Sequence, residues 1–327
     1  MHRLNRRAVL TALGGTAMAW PLGAKAQQKR LPVVGYLGFT STNQENLVAF
    51  RQGLAERGYT DGKTVALEVR WAEGNYDRLP GLVADLVARK IDVFGVGAGP
   101  VCLRAARQAT TTLPLVAYDF ETDPVAEGYV QSIARVGGNV TGIFLDQPDF
   151  AGKWFELLRE CIPRLASVAM LLDPGSGRAQ VAAMSKVAAG LGINVTMLEV
   201  KTRADYASVF AAAQNLGVGA VLMPSSPLVL NNSEELAELA RRYRLPGITL
   251  FSRFARGGGF MSYGPSIGVA AKQAGVIVGK ILAGAAPAAL PVERPSTFEL
   301  IVNQRTASTL GLTIPALIAA RADEVIE

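Results

Sequence analysis

Short apolar segments alternate with amphipathic ones along most of this chain, and halfway along the pattern starts again. Residues 31–38, 91–96 and 113–118 are brief runs rich in Val, Ile and Leu. Between residues 64 and 71, Val65, Leu67, Val69 and Trp71 alternate with polar neighbours, as strand residues do. Segments 43–58, 76–90 and 101–110 separate them. The first carries Leu47, Phe50 and Leu54 at helical spacing, and the second carries Leu79, Val83, Leu86 and Val87. Strands joined through helices must pair in parallel, because the crossover reverses the chain between them. After Asp149 helices are expected at 151–162, 180–191 and 205–215, with strands at 167–172, 194–200, 220–223 and 247–251.

The two series share landmarks in the same order. Leu67-Glu68-Val69-Arg70 matches Leu198-Glu199-Val200-Lys201. Tyr76-Asp77 and Asp205-Tyr206 each open a helix, and Leu113-Pro114 and Leu245-Pro246 each open a strand. Ordered agreement of this kind indicates a duplicated unit. The expected class is therefore α/β, with two Rossmann-like lobes built on parallel central sheets.

In an open parallel sheet, ligands bind beyond the carboxyl ends of the strands. Two such lobes face each other across a cleft, and its lining follows from the strand ends. In the first lobe these are Phe39, Thr40, Ser41, Thr42, Gly97, Ala98, Gly99 and the stretch from Asp119 to Asp123; in the second, Asp173, Pro174, Gly175, Ser176, Ser225, Ser226, Phe251 and Ser252. Hydroxyls and small residues dominate, with a few carboxylates and aromatic rings. That set suits a small zwitterion whose ammonium pairs with an Asp and whose side chain packs on the rings.

Other chemistry is excluded or poorly supported. His2 is the sole histidine, and it lies in a segment that reads as an export signal. Arg3, Arg6 and Arg7 precede a small-residue apolar stretch and Ala24-Lys25-Ala26, so residues 1–26 are expected to be removed, with Arg6-Arg7 resembling a twin-arginine signal. The mature chain then has no imidazole for a Ser-His-Asp triad or a metal. Without Arg3, Arg6, Arg7 and Lys25 the 33 basic residues fall to 29 against 27 acidic ones, so a net charge of +6 drops to about +2. The basic character belongs to the leader and gives no reason to expect nucleic-acid binding. Gly95-Val96-Gly97-Ala98-Gly99 lacks the third glycine of a dinucleotide fingerprint and follows the wrong strand. No cofactor, metal or catalysis is expected. Cys102 and Cys161 read as buried free thiols.

Several motifs together resemble one family. They are Ala49-Phe50-Arg51-Gln52-Gly53-Leu54, Arg70-Trp71-Ala72-Glu73-Gly74, Tyr76-Asp77-Arg78-Leu79-Pro80, Gly137-Gly138-Asn139-Val140-Thr141-Gly142, Met261-Ser262-Tyr263-Gly264 and the terminal Ala322-Asp323-Glu324-Val325-Ile326-Glu327. The chain is similar to ABC-transporter substrate-binding proteins of the tryptophan/tyrosine type. That resemblance implies a type I periplasmic-binding-protein fold with three hinge crossings. It also implies capture of a small solute, with an amino acid of aromatic type as first choice, for the transmembrane subunits of an ABC permease. Residues 31–144 plus 254–283 would form the N-terminal lobe, and 145–253 plus 288–327 the C-terminal lobe. The protein would be a periplasmic monomer that closes on its ligand. The alternatives are a ligand-sensing module for a membrane receptor and a secreted α/β hydrolase. Arg256-Gly257-Gly258-Gly259-Phe260 departs from the family's usual pattern.

Overall fold

The computed structural model describes residues 30–97, 99–174 and 177–327. The expected leader at 1–26 and the site residues Ala98, Gly175 and Ser176 lie outside them.

The first sheet is built from β1 (Val33–Gly38), β2 (Ala66–Trp71), β3 (Val93–Val96), β4 (Leu115–Asp119) and β5 (Val140–Phe144), in the order β2-β1-β3-β4-β5. All its pairings are parallel. Helices α1 (Gln44–Glu56), α2 (Leu79–Ala88) and α3 (Gly99–Ala109) make the crossovers. The helical spacing read in the sequence holds: α1 buries Leu47, Phe50 and Leu54, and α2 buries Leu79, Val83 and Leu86.

The second half repeats this plan. α4 (Gln147–Cys161), β6 (Ser167–Leu172), α5 (Arg178–Gly190), β7 (Asn194–Glu199), α6 (Tyr206–Asn215) and β8 (Ala220–Met223) lead to two helices, α7 (Pro227–Asn231) and α8 (Ser233–Arg242). β9 (Gly247–Thr249), α9 (Ser252–Arg256) and β10 (Met261–Pro265) follow. The run β7-β6-β8-β9-β10 has the same strand order as the first sheet. After the long helix α10 (Ile267–Leu282), β11 (Phe298–Asn303), α11 (Gln304–Thr309), α12 (Ala316–Arg321) and β12 (Glu324–Ile326) add two more strands. β11 runs antiparallel to β10, so the second sheet is parallel in its main part only.

The returning segment divides differently from the sequence expectation. The sequence places residues 254–283 whole in the first lobe, but β10 pairs with β9 and β11 in the second sheet. The chain leaves that sheet only after Pro265. α10 then packs on α1 and on β3, β4 and β5. Gly53 of α1 and Gly275 of α10 make this helix contact possible, since a Cβ on Gly53 would strike the Lys272 carbonyl and one on Gly275 would strike that of Phe50.

Three crossings lie side by side. Residues 292–293 rejoin the first sheet through Phe144 N–H to the Glu293 carbonyl (3.1 Å) and Glu293 N–H to the Gly142 carbonyl (2.8 Å). The Arg294 guanidinium donates to the Phe144 carbonyl (3.0 Å) and to Asp146 Oδ2 (2.9 Å), tying the first crossing to the third. Ser266 N–H donates to the Thr297 carbonyl (3.0 Å), tying the second to the third. Cys102 and Cys161 are both buried and free, as read from the sequence. Among the described residues no helix is long and apolar enough to cross a membrane.

Candidate functional site

The carboxyl ends of the strands in both sheets open onto one cavity. Its position follows the rule for open parallel sheets. The walls are mainly aromatic. Phe39 follows β1, Trp71 ends β2, Phe120 follows β4 and Phe251 follows β9. Trp71 stands edge-on to Tyr36, with ring centroids 5.7 Å apart.

Two tyrosines share the floor. Tyr36 on β1 and Tyr118 on β4 reach toward each other across β3, and their hydroxyls meet at 2.8 Å. They have room because the residue between them is glycine: a Cβ on Gly97 would collide with the Tyr118 hydroxyl and lie 2.6 Å from that of Tyr36. Burial pushes the Tyr36 phenol up to about 12 and holds the Tyr118 phenol well above its ordinary value.

Among the described residues the cavity is lined by one carboxylate, that of Glu121. Its Oε1 accepts a hydrogen bond of 3.0 Å from Ser225 Oγ, a residue of the opposite sheet's edge. The Ser225 N–H donates in turn to Gln180 Oε1 (2.9 Å), which fixes the turn after β8. The adjacent Ser226 caps α7, its Oγ accepting from Val229 N–H at 3.1 Å. The neighbouring Tyr76 phenol is raised first by burial and then by the nearby charges of Asp173 and Glu121. At the rim, Arg253 of α9 pairs with Glu45 of α1 at 2.9 Å, a second contact between the two halves.

Of the residues picked from the sequence, Phe39, Thr40, Gly97, Gly99, Phe120, Glu121, Ser225, Ser226 and Phe251 line the cavity. Ser41 does not; its hydroxyl donates to Glu73 Oε2 (3.0 Å) on an exposed edge. The carboxylates need correcting. Asp119 is buried and spends both oxygens on its own turn: Oδ1 accepts from Glu121 N–H (2.8 Å) and Thr122 N–H (3.1 Å), and Oδ2 from Thr122 Oγ1 (2.6 Å). Burial raises its pKa, and these donors oppose the rise. Asp123 likewise accepts from Val125 and Ala126 N–H. Neither is part of the cavity lining. Asp173 lines a smaller cavity behind Ser225, beside Tyr206.

Tyr36, Trp71, Asn46 and Leu230 line the cavity without being expected there from the sequence. Tyr36 and Trp71 read there as ordinary strand residues. Glu121 lies in the 119–123 stretch expected to line the cleft, but the sequence reading takes the flanking aspartates as the carboxylates there. An Asp just past a strand commonly bonds to N–H groups two and three residues on, and that signal would have set both aspartates aside.

Two sheets of like strand order, joined by three adjacent crossings and opening onto a shared cavity, define a type I periplasmic-binding-protein fold. The model of the ABC transporter substrate binding protein family matches residues 41–326, and the chain belongs to that family. A curated relative, the tyrosine-binding protein of Clostridioides difficile strain R20291, is 21% identical over 267 residues, covering 80% of this chain and 75% of that protein. Among solved structures, an ABC domain in complex with L-Trp from Streptococcus pneumonia is 24% identical, with a TM-score of 0.82 over 90% of this chain and 99% of that one. A conserved domain protein from Vibrio cholerae is also 24% identical, with a TM-score of 0.82 over 90% and 100% of the two chains. A ligand-free, open substrate-binding protein from Clostridium difficile is 20% identical, with a TM-score of 0.67 over 90% and 99%.

Proposed function

We propose that this protein captures an amino acid with an aromatic side chain outside the cytoplasm and hands it to the transmembrane subunits of an ABC importer. The observation that carries this reading is the pairing of aromatic walls with one cavity carboxylate, Glu121. A ring packs among Trp71, Tyr118, Phe120 and Phe251, and the ligand's ammonium takes a charged hydrogen bond from its nitrogen to Glu121. Hydroxyls at Thr40 and Ser226 stand at the edges for the ligand carboxylate. The tyrosine-binding and L-Trp-bound relatives are in keeping with such a ligand.

Closure supplies the mechanism. A ligand touching both strand-end edges binds the closed arrangement more tightly and shifts the population by that differential affinity. The crossings near Phe144–Asp146, Pro265–Ser266 and Arg294–Thr297 would be the hinge. The lobes then run over 32–144 plus 266–293 and over 146–265 plus 297–326. The leader sends the chain to the periplasm, where it works as a monomer and makes or breaks no covalent bond.

The test is titration calorimetry and thermal shift with L-Trp, L-Tyr and L-Phe against aliphatic, acidic and basic amino acids. A true ligand at 100 times its Kd stabilises the protein by about 2.7 kcal/mol. Stabilisation by aliphatic or charged amino acids with none from the aromatic three would sink the proposal.

A further inference from the structure

The phenol pair on the cavity floor has one proton more than it uses. Tyr36 and Tyr118 bring two O–H groups together at 2.8 Å, and whichever donates, only one proton lies between the oxygens. The other hydroxyl keeps a donor to place. Among the described residues neither tyrosine hydroxyl has a further hydrogen-bond partner. Both residues are nearly fully buried, at 1% and 6% exposure, where a donor left without an acceptor is costly. Both belong to the cavity lining, and so does Gly97, whose missing side chain leaves the two hydroxyls uncovered on that side.

The geometry points to a solute that carries a hydroxyl at the far end of its ring, a 4-hydroxyphenyl compound, as the preferred ligand of this cavity. Its oxygen accepts the spare phenol proton, and its own proton goes to a lone pair of the donating tyrosine, closing a ring of three hydroxyls. An indole N–H can donate but cannot accept, and a phenyl ring does neither; each leaves the spare proton buried without a partner. A site that hydrogen-bonds a ligand hydroxyl discriminates strongly against the analogue lacking it, for this reason. Phenols hold their protons at neutral pH, and burial moves ionisation further away, so the donor is present under working conditions. The assignment rests on the aromatic-ligand reading above and sharpens it by naming what the far end of the ring must carry.

The experiment compares pairs of ligands differing only in the ring hydroxyl, by calorimetry. The pairs are L-tyrosine with L-phenylalanine and tyramine with phenethylamine. In the unaltered protein the hydroxylated member should bind at least about tenfold more tightly, the range expected for an unmet buried donor. In the double variant Tyr36→Phe, Tyr118→Phe the floor keeps its shape and loses its hydroxyls, so the preference should vanish or reverse. Equal binding of both members by the unaltered protein overturns the proposal without any variant, and so does a preference that survives in the double variant. If neither amino acid binds but tyramine outbinds phenethylamine, the amino-acid reading falls and the phenol assignment stands. If none of the four binds, both fall.

Discussion

The two strand-end edges that face each other across the cavity have the same strand order and different chemistry. The first edge supplies Tyr36, Phe39, Trp71, Tyr118 and Phe120 together with Glu121. The second supplies Ser225, Ser226, Pro227 and Leu230, with Phe251 as its one ring. Duplication therefore copied the scaffold while the side chains at the strand ends diverged. On the proposed function, the richer edge would carry the groups that tell one solute from another. The plainer edge carries a hydroxyl that bonds to the first edge's carboxylate, which suits a cover better than a reader.

This asymmetry can be broken by experiment. Glu121→Gln should have the largest effect, weakening ligand binding by about 1.5–3 kcal/mol through loss of a charged hydrogen bond; calorimetry with the ligand found by screening measures it. Alkaline titration probes the same edge. The Tyr36 phenol is raised from 10.0 to about 12 by burial, so the folded state holds its proton after the unfolded chain has released it. Its contribution is fully present below pH 10 and is lost as pH climbs toward 12, at up to roughly 1.4 kcal/mol per pH unit. Denaturant melts between pH 9 and about 12 should show a decline that the Tyr36→Phe protein does not share in full.

Ser225→Ala should cost less binding than Glu121→Gln, about 1 kcal/mol. If the serine proves the more costly of the two, the division between reading edge and covering edge is wrong. The smallest change belongs to Asp123→Asn. The amide oxygen can still accept from Val125 and Ala126 N–H, so affinity should stay within about 0.5 kcal/mol. A larger loss would return Asp123 to the site.

Much of the scaffold was legible because parallel-sheet units write themselves in alternating periods. Leu47, Phe50 and Leu54 at helical spacing, and the paired landmarks Leu113-Pro114 and Leu245-Pro246, gave the helices and the repeat. Weak strands escaped this reading. Met261–Pro265 holds a glycine and a proline and has little alternation to show, yet pairing on both sides makes it a strand. Its membership of the second sheet moves the expected lobe boundary from 253–254 to Pro265. In the site, the loops after β1, β3, β4, β8 and β9 border the cavity, while the carboxylate that lines it is Glu121 and neither flanking aspartate. Asp119 and Asp123 have short side chains that return to their own backbone, whereas the longer Glu121, flanked by them, reaches Ser225 across the cavity. Tyr36 and Trp71 look like core in any strand pattern; only their place near the end of a strand brings them to the cavity wall.

The close fit of α1 against α10 bears on how the molecule forms. Gly53 and Gly275 meet where each backbone fills the space a side chain would need, yet more than two hundred positions of chain separate them. The first five strands emerge early in synthesis but lack the helix that completes their hydrophobic cover until α10 has been made. Contacts so distant along the chain slow folding, because a long loop must close before they contribute. A ribosome-bound fragment ending after β5 should therefore expose a greasy flank that chaperones can bind until α10 is made.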